Sequence, residues 1–248
     1  MEIVFSVKNY DATGDVVVTP DEARRRVLYK DRLVLVFDKP AGMPVHAGPG
    51  GGDTVEDYFR YLCFEHPRAP ALAHRLDRDT SGCLILGRHH KGLRRVGKLF
   101  QNSRVGKVYW AITVGVPQND RGIIDVPLRK LTPKSGWKMI PDLQSGQTAL
   151  TEYKVLGCSP QRDFAWVECR PKTGRTHQIR VHLAHLGTPL LGDRIYGDPA
   201  PHAPPMHLHA RSVSLPLYAE RPDIQVTAPP PPHMHVALAT CGWTADSD

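Results

Sequence analysis

Hydrophobic residues occur along the chain in short uninterrupted runs bounded by turn-forming residues. Leu33–Phe37 precedes the turn KPAG (39–42), and Cys83–Leu86 follows the polar stretch AHRLDRDTSG (73–82). Runs of this length and setting are typical of buried β-strands. The same criteria predict further strands at VYWAITVGVP (108–117), GIIDVPL (122–128), ALTEYKVLG (149–157), FAWVECRP (164–171) and MHLHARSVSLPL (206–217).

Three other segments have helical patterns. The clearest is THQIRVHLAHLG (176–187), whose apolar residues form one stripe. HHKGLRRVGKLFQ (89–101) likewise spaces its apolar residues by three and four. TVEDYFRYLCFEH (54–66) is the third, with Asp53 or Thr54 as its N-cap.

Strands outnumber helices and do not alternate regularly with them. This order predicts an α+β fold with a mixed, largely antiparallel sheet flanked by helices, and not a doubly wound sheet. We expect one domain at residues 27–227, after an N-terminal extension (1–26) and before a proline-rich C-terminal tail (228–248). The four consecutive prolines of that tail cannot join the interior of a sheet.

Composition narrows the class of protein. The 248 residues carry a formal net charge of +7 and are 41% hydrophobic, which fits a globular protein with a polyanionic partner. No stretch has the length and apolarity of a membrane span, and the N-terminus lacks a signal-peptide pattern. Five cysteines without a CxxC pair favour neither a disulfide framework nor a cysteine zinc site, so we expect a cytoplasmic protein.

The segment from Arg88 to Lys107 contains seven lysines and arginines and no acid. Four of them share one face of the predicted helix, here called the basic helix face: Lys91, Arg94, Arg95 and Lys98. A solvated helix face normally mixes both signs of charge, because like charges at i,i+4 repel each other. A single-sign face therefore favours binding to the phosphates of a nucleic acid.

The 13 histidines could serve a metal site or could be structural. His182 and His185 are spaced by three on one helix, and His207 and His209 lie in one predicted strand. A metal site also needs a converging carboxylate or thiolate, which the pattern does not supply. We therefore expect histidines that make structural hydrogen bonds, and no metal.

Arg180 lies between two apolar residues in the helical segment 176–187, so it is predicted to be buried. A buried arginine requires a carboxylate partner, because an unpaired buried charge is very costly. The only attractive source of that carboxylate is AHRLDRDTSG, and in it Asp77; Asp79 is a weaker candidate, because with Thr80 and Ser81 it is typical of a turn. Nearby, Arg175 and His177 stand in the first turn of the helix, where its N-terminus attracts anions.

In these and several neighbouring motifs the chain resembles the pseudouridine synthases of the RluA type, most closely the short members that lack an S4 RNA-binding domain. The resemblance spans about residues 27–227. Its blocks follow the order of the family: PAG (40–42), HRLDRDTSG (74–82), KVYWA (107–111), TGRTHQIRVHLAHLGTPLLGD (173–193) and LHARS (208–212).

The resemblance implies roles for five residues. Asp77 is the expected catalytic aspartate, Tyr109 stacks on the target base, and Arg180 pairs with Asp77. Arg75 holds the RNA open once the base has left the stack, and Leu208 packs against that base. Without the resemblance, the preferred interpretation of Tyr109 is an aromatic residue of a strand that packs in the core.

Four further residues are expected at the RNA. Lys107 fits a contact with a phosphate, or is simply a lysine at the edge of a strand. Arg175 and His177 fit a contact with a phosphate at the start of the helix. Arg78 and its neighbour Asp79 stand where members of the family vary, which predicts a role in substrate choice.

The implied reaction breaks the N1–C1′ bond of a uridine, rotates the base and rejoins it through C5. Asp77 either attacks C1′ or removes the C2′ proton to give a glycal; the sequence leaves both routes open. Neither requires a cofactor or a metal. The expected substrate is 23S rRNA and/or a tRNA stem-loop, and a monomer is the plain expectation. Two rivals are an RNA-binding module without activity and a metal-dependent hydrolase that uses the histidines.

Overall fold

A computed structural model describes residues 19–47, 53–131, 138–197 and 202–245 of the chain. Within these ranges the helices are α1 (Pro20–Arg25), α2 (His90–Gln101), α3 (Gln178–His185), α4 (Pro232–Thr240) and a 3-10 helix (Val55–Leu62). The strands are β1 (Val27–Lys30), β2 (Val34–Lys39), β3 (Ala71–Leu72), β4 (Ser81–Gly87), β5 (Gly106–Val114), β6 (Arg121–Asp125), β7 (Leu128–Lys130), β8 (Met139–Pro141), β9 (Leu150–Cys158), β10 (Phe164–Pro171), β11 (Leu208–Leu215) and β12 (Ile224–Thr227).

Ten of these strands form one sheet in the order β1-β2-β4-β11-β5-β10-β9-β6, with β3 beside β4 and β12 beside β11. The pair β4–β11 is parallel and the other pairs are antiparallel. Strands β7 and β8 form a separate hairpin. The predicted α+β fold with a mixed, largely antiparallel sheet is confirmed.

The apolar runs of β2 and β4 are buried on both faces of the sheet, as an uninterrupted hydrophobic pattern requires. Along β2, Leu35 and Phe37 pack against the 3-10 helix and α1. Val34 and Val36 point to the opposite face and pack against α2. The alternation of side chains along a strand thus divides one run between two core clusters.

The other half of the sheet is also covered on both faces. From α3, Ile179 and Leu183 pack on β5 and β10. From α4, Met234 and Leu238 are fully buried against Trp110 and its neighbours on the other face. The chain after residue 227 therefore adds a helix to the core, which its run of prolines did not suggest.

A glycine allows the parallel junction between β4 and β11. Gly82 has φ +100°, and a Cβ atom there would lie 2.3 Å from the carbonyl oxygen of Ala210. Beside it, the hydroxyl of Ser81 lies 2.9 Å from Nδ1 of the fully buried His209. This close contact brings the end of the loop 73–80 next to the start of β11.

The helix expected at 54–66 differs in type from the prediction. It begins after the N-cap Thr54, whose backbone and hydroxyl both donate to Asp57, but it is a 3-10 helix. Aromatic and β-branched residues, which have modest α-helix propensity, make up half of its short length. Most of the predicted N-terminal extension, residues 1–18, lies outside the described residues.

Candidate active site

Asp77 lies in the loop between β3 and β4, and its carbonyl oxygen accepts a hydrogen bond from Thr80 N at 3.1 Å. This loop is fastened to the turn after β2. The Arg78 carbonyl accepts from Gly42 N at 3.1 Å, and Arg78 Nε donates to the Gly42 carbonyl at 3.0 Å. The two loops therefore hold the backbone of Asp77 at a fixed place.

Lys39, at the end of β2, joins the same two loops from within and is fully buried. Its ammonium donates to the carbonyl oxygens of Pro40, Met43 and Arg78 at 2.7, 2.7 and 2.8 Å. Burial lowers the pKa of Lys39 to about 7, against the attraction of Asp79, Asp77 and Asp38. The sequence pattern did not indicate that Lys39 joins two loops, because Lys39 is interpreted there as the first residue of the turn KPAG.

Arg180 is buried, as predicted, but its principal partner is Asp193. Nε and Nη2 of Arg180 donate to the two carboxylate oxygens of Asp193 at 2.7 and 2.8 Å. Nη1 lies 3.5 Å from Oδ2 of Asp77, so the predicted pair exists as a second, longer contact. The expectation that only AHRLDRDTSG could supply the carboxylate is wrong, because the turn after α3 supplies another.

The charges of this pair stabilise each other. Burial acts to raise the pKa of Asp193, but Arg180 and the backbone N–H groups of Ile195 and Tyr196 hold it below its usual value. Burial acts to lower the pKa of Arg180, but Asp193 and then Asp77 raise it. Arg180 is consequently a permanent, rigidly held cation beside Asp77.

His177 reaches Asp77 from the start of α3. Its Nε2 lies 3.8 Å from Oδ2 of Asp77, and its Nδ1 lies 2.8 Å from the hydroxyl of Tyr196. Burial lowers the pKa of His177, and Asp77 opposes that shift. Arg180 is bound to Asp193, and His177 to Tyr196. Both side chains that approach Asp77 are therefore held by the same turn, residues 193–196.

Asp77 faces a pocket of about 340 Å³. Tyr109 of β5 and Leu208 of β11 form apolar parts of its wall, and Phe100 at the end of α2 contributes another. Burial, and then the charge of Asp77, raises the pKa of Tyr109 well above its usual value. The pocket therefore combines a carboxylate, a fixed cation and a flat aromatic surface, which suits a planar polar ligand.

The structure brings together eight of the thirteen residues that the sequence singled out. The following line the pocket: Arg75, Asp77, Lys107, Tyr109, Arg175, His177, Arg180 and Leu208. Arg78 points instead to the carbonyl of Gly42. The four residues of the basic helix face are exposed along α2, and among the described residues none of them forms an ion pair: Lys91, Arg94, Arg95 and Lys98.

Several histidines make structural hydrogen bonds. The buried His182 lies between the Thr151 hydroxyl and the Val126 carbonyl at 2.9 and 3.0 Å. His207 lies 2.7 Å from the Pro205 carbonyl. Within the described parts of the chain, no group of three or more potential metal ligands converges, and no helix is long and apolar enough to cross a membrane.

Comparisons with known proteins agree on one family. The profile of the RNA pseudouridylate synthase family matches residues 33–185. An uncharacterized RNA pseudouridine synthase of Zymomonas mobilis is 44% identical over 210 residues, which cover 84% of this chain and 94% of that protein. The mitochondrial pseudouridylate synthase RPUSD4 of Rattus norvegicus is 34% identical over 260 residues, covering 87% and 68%.

A solved structure agrees with these sequence relatives. The human RNA pseudouridylate synthase domain containing 4 superposes with a TM-score of 0.75 at 31% identity, over 89% of this chain and 94% of that one. The expected resemblance is thereby confirmed, and the chain belongs to the RNA pseudouridylate synthases of the RluA type, which are isomerases.

Proposed function

We propose that the protein isomerises a specific uridine of structured RNA, in 23S rRNA and/or a tRNA stem-loop, with Asp77 as the catalytic aspartate. The observation that carries this proposal is the position of Asp77. Its carboxylate faces the pocket, with the Arg180 guanidinium at 3.5 Å and Tyr109 in the pocket wall. No other carboxylate among the described residues lines that pocket.

The chemistry requires an ionised carboxylate next to the ribose of the target. Asp77 then either attacks C1′ or removes the C2′ proton; either step breaks the N1–C1′ bond. Arg180 stabilises the negative carboxylate before the reaction. After rotation of the base a C5–C1′ bond forms, and the proton of C5 is replaced by one on N1, so the isomerisation has no net oxidation or hydrolysis.

The target base must leave its helix or loop to reach Asp77, which costs a few kcal/mol for unstacking. Stacking on Tyr109 offsets about 1–3 kcal/mol of that cost. Leu208 supplies apolar contact in the same pocket. The exposed Arg75, at the rim, then fills the space that the base leaves in the RNA.

The RNA strand next to the target base has a cationic path. The pocket continues into a groove between the end of α2, the start of β5 and the residues after β10. Among its cations, Lys172 and Arg170 are paired with Glu152 and Glu168. Three others line the groove without a carboxylate partner in the described structure, and we assign them to phosphates: Arg104, Lys107 and Arg175.

The basic helix face is a second contact for the RNA. It is exposed on α2, and the last turn of α2 contributes Phe100 to the pocket wall. An RNA stem can therefore lie along α2 while its flipped nucleotide enters the pocket. Arg78, which is exposed beside Gly42 in the loop of Asp77, is assigned to a separate contact with the RNA.

The test is a direct assay of the purified protein in the presence of EDTA. Unmodified total tRNA and transcribed 23S rRNA are each incubated with wild type, Asp77→Asn and Asp120→Asn. Asp120 is an exposed carboxylate in the turn before β6 and serves as the matched control. Pseudouridine is mapped by carbodiimide labelling and primer extension.

New stops with wild type and Asp120→Asn, and none with Asp77→Asn, are the expected result and identify the RNA. Stops that persist with Asp77→Asn would overturn the assignment of the catalytic residue. Absence of stops on both RNAs, with RNA binding retained, would instead favour a different substrate or an RNA-binding protein without this activity.

A further inference from the structure

His177 has an unusual backbone conformation at the mouth of the pocket. Its φ of 53° and ψ of 21° place it in the left-handed region, which a residue with a Cβ atom seldom occupies. Such strain persists only where the surrounding contacts over-determine it, and it is concentrated at functional sites. Here the strain turns the imidazole back towards Asp77, with the side chain 13% exposed.

The contacts of Tyr196 determine which ring nitrogen of His177 carries the proton. The Tyr196 hydroxyl accepts a hydrogen bond from Met139 N at 2.8 Å and lies 2.8 Å from His177 Nδ1. The hydroxyl thus already accepts one hydrogen bond, and we assign its own proton to Nδ1 as the acceptor. The neutral ring then bears its proton on Nε2, which faces Oδ2 of Asp77 at 3.8 Å.

The opposite tautomer is disfavoured on both sides of the ring. It would place the Nε2 lone pair against the negative carboxylate of Asp77 and would leave the Tyr196 hydroxyl proton without this acceptor. The charged groups around the ring are Asp77, Asp193, Arg180 and Arg75. Burial lowers the pKa of His177, the two carboxylates oppose that shift and the two arginines reinforce it. The pKa remains below the ordinary value of 6.5, which favours the neutral ring at pH 7.

We propose that His177 is a positioning residue for Asp77: its Nε2–H, fixed in direction by Tyr196, holds the Asp77 carboxylate in the orientation in which it reacts. This proposal rests on the proposed function, since Asp77 is the reacting group there. Arg180 approaches the same oxygen, Oδ2, and is held by the same turn through Asp193. Both contacts, at 3.5 and 3.8 Å, are to Oδ2, and we assign Oδ1 to the substrate.

A glycine substitution distinguishes the role of the imidazole ring from that of the backbone conformation. Glycine adopts positive φ without cost, so His177→Gly removes the imidazole and relieves the strain. Arg162→Gly is the matched control, at a second non-glycine residue of positive φ (61°), in the turn between β9 and β10. We expect His177→Gly to lower the single-turnover rate about 100-fold with RNA affinity within about twofold of wild type, because a misplaced reacting group costs that much.

Tyr196→Phe keeps the aromatic packing and removes only the hydroxyl. The variant loses the hydrogen bonds to Met139 N and to His177, of which the second orients the ring. We expect about a tenfold lower single-turnover rate and unchanged RNA affinity. A full rate in His177→Gly, or a loss of RNA affinity in place of rate, would overturn the proposal. If wild type is active and Asp77→Asn is not, such a result leaves the proposed function intact.

The tautomer itself is measured without substrate. Long-range 1H–15N correlation spectra of histidine-labelled protein at pH 7 are assigned through the loss of the His177 signals in His177→Gly. We expect a neutral ring with its proton on Nε2 in wild type. An Nδ1–H ring or an imidazolium would overturn the proposal even if neither RNA proved to be a substrate.

Discussion

The guanidinium of Arg180 forms a bidentate ion pair with Asp193, with N–O distances of 2.7 and 2.8 Å. Both side chains are almost entirely buried, at 5% and 0% exposure. Planar matching of this kind fixes the direction of the guanidinium as well as its charge. The third nitrogen, Nη1, is thereby directed to Asp77. Asp193 thus positions Arg180 in the site although it does not line the pocket itself.

Asp193→Asn should reveal this dependence. The substitution removes the bidentate charged partner of the buried Arg180 and leaves only the longer contact with Asp77. Breaking a buried pair from one side costs about 3–5 kcal/mol of unfolding free energy. Urea denaturation should show this loss, and the single-turnover rate on RNA should fall with it. Asp120→Asn, at an exposed carboxylate, is the control and should change neither. Wild-type stability in Asp193→Asn would contradict the assigned partnership.

The sequence predicted the sheet well because its strands are specified locally. Runs such as Val34–Phe37 in β2 are apolar without interruption, and only a two-sided core can accommodate them. The C-terminal helix α4 was not predicted, because four prolines precede its apolar face and hide its start. Its Pro232 occupies the first turn of the helix, where the missing N–H has no cost.

The partner of Arg180 could not be chosen from sequence alone. Burial of the arginine requires a carboxylate, but Asp77 and Asp193 both satisfy that requirement, and only the turn after α3 decides between them. Lys39 was hidden for a related reason. Its three acceptors come from two loops, one of them 39 residues away, and only the folded chain brings these carbonyls to one point.

Lys39→Met tests how strongly that ammonium holds the two loops. The methionine fills the space but leaves the buried carbonyl oxygens of Pro40 and Met43 without their donor, whereas the Arg78 carbonyl keeps its bond from Gly42 N. The unfolding free energy should therefore fall by about 3 kcal/mol. Hydrogen exchange should accelerate in residues 73–80, which carry Asp77. Lys30→Met is the control: its exposed pair with Glu65 should be worth less than about 1 kcal/mol. Unchanged exchange in 73–80 would refute this role of Lys39.

Stability should decline in mild acid because of His209. Burial lowers the pKa of His209 to about 4, from the ordinary value of 6.5. Between these two values the unfolded chain binds the extra proton, so the unfolding free energy falls as the pH falls from 6.5 to 4. Each such group contributes a slope of up to about 1.4 kcal/mol per pH unit.

The measurement is urea denaturation at several pH values in that window. His209→Gln should lower the slope by about one proton, whatever its effect on stability at pH 7. His185→Gln, at the exposed end of α3, is the comparison and should keep the wild-type slope. An unaltered slope in His209→Gln would show that other groups cause the acid sensitivity.

The basic helix face should act in RNA affinity and not in catalysis. Its four residues are replaced together by glutamine, which retains helix propensity: Lys91, Arg94, Arg95 and Lys98. Each phosphate that is no longer neutralised by a cation should reduce the slope of log K against log salt by about 0.7–0.9, because fewer counterions are released. The rate at saturating RNA should remain at the wild-type level, since these side chains lie outside the pocket.

Filter binding from low to moderate salt measures the slope. The control is the double variant Arg25→Gln/Lys154→Gln, at exposed residues of α1 and β9. A wild-type slope in the fourfold variant would show that these four cations neutralise no RNA phosphate.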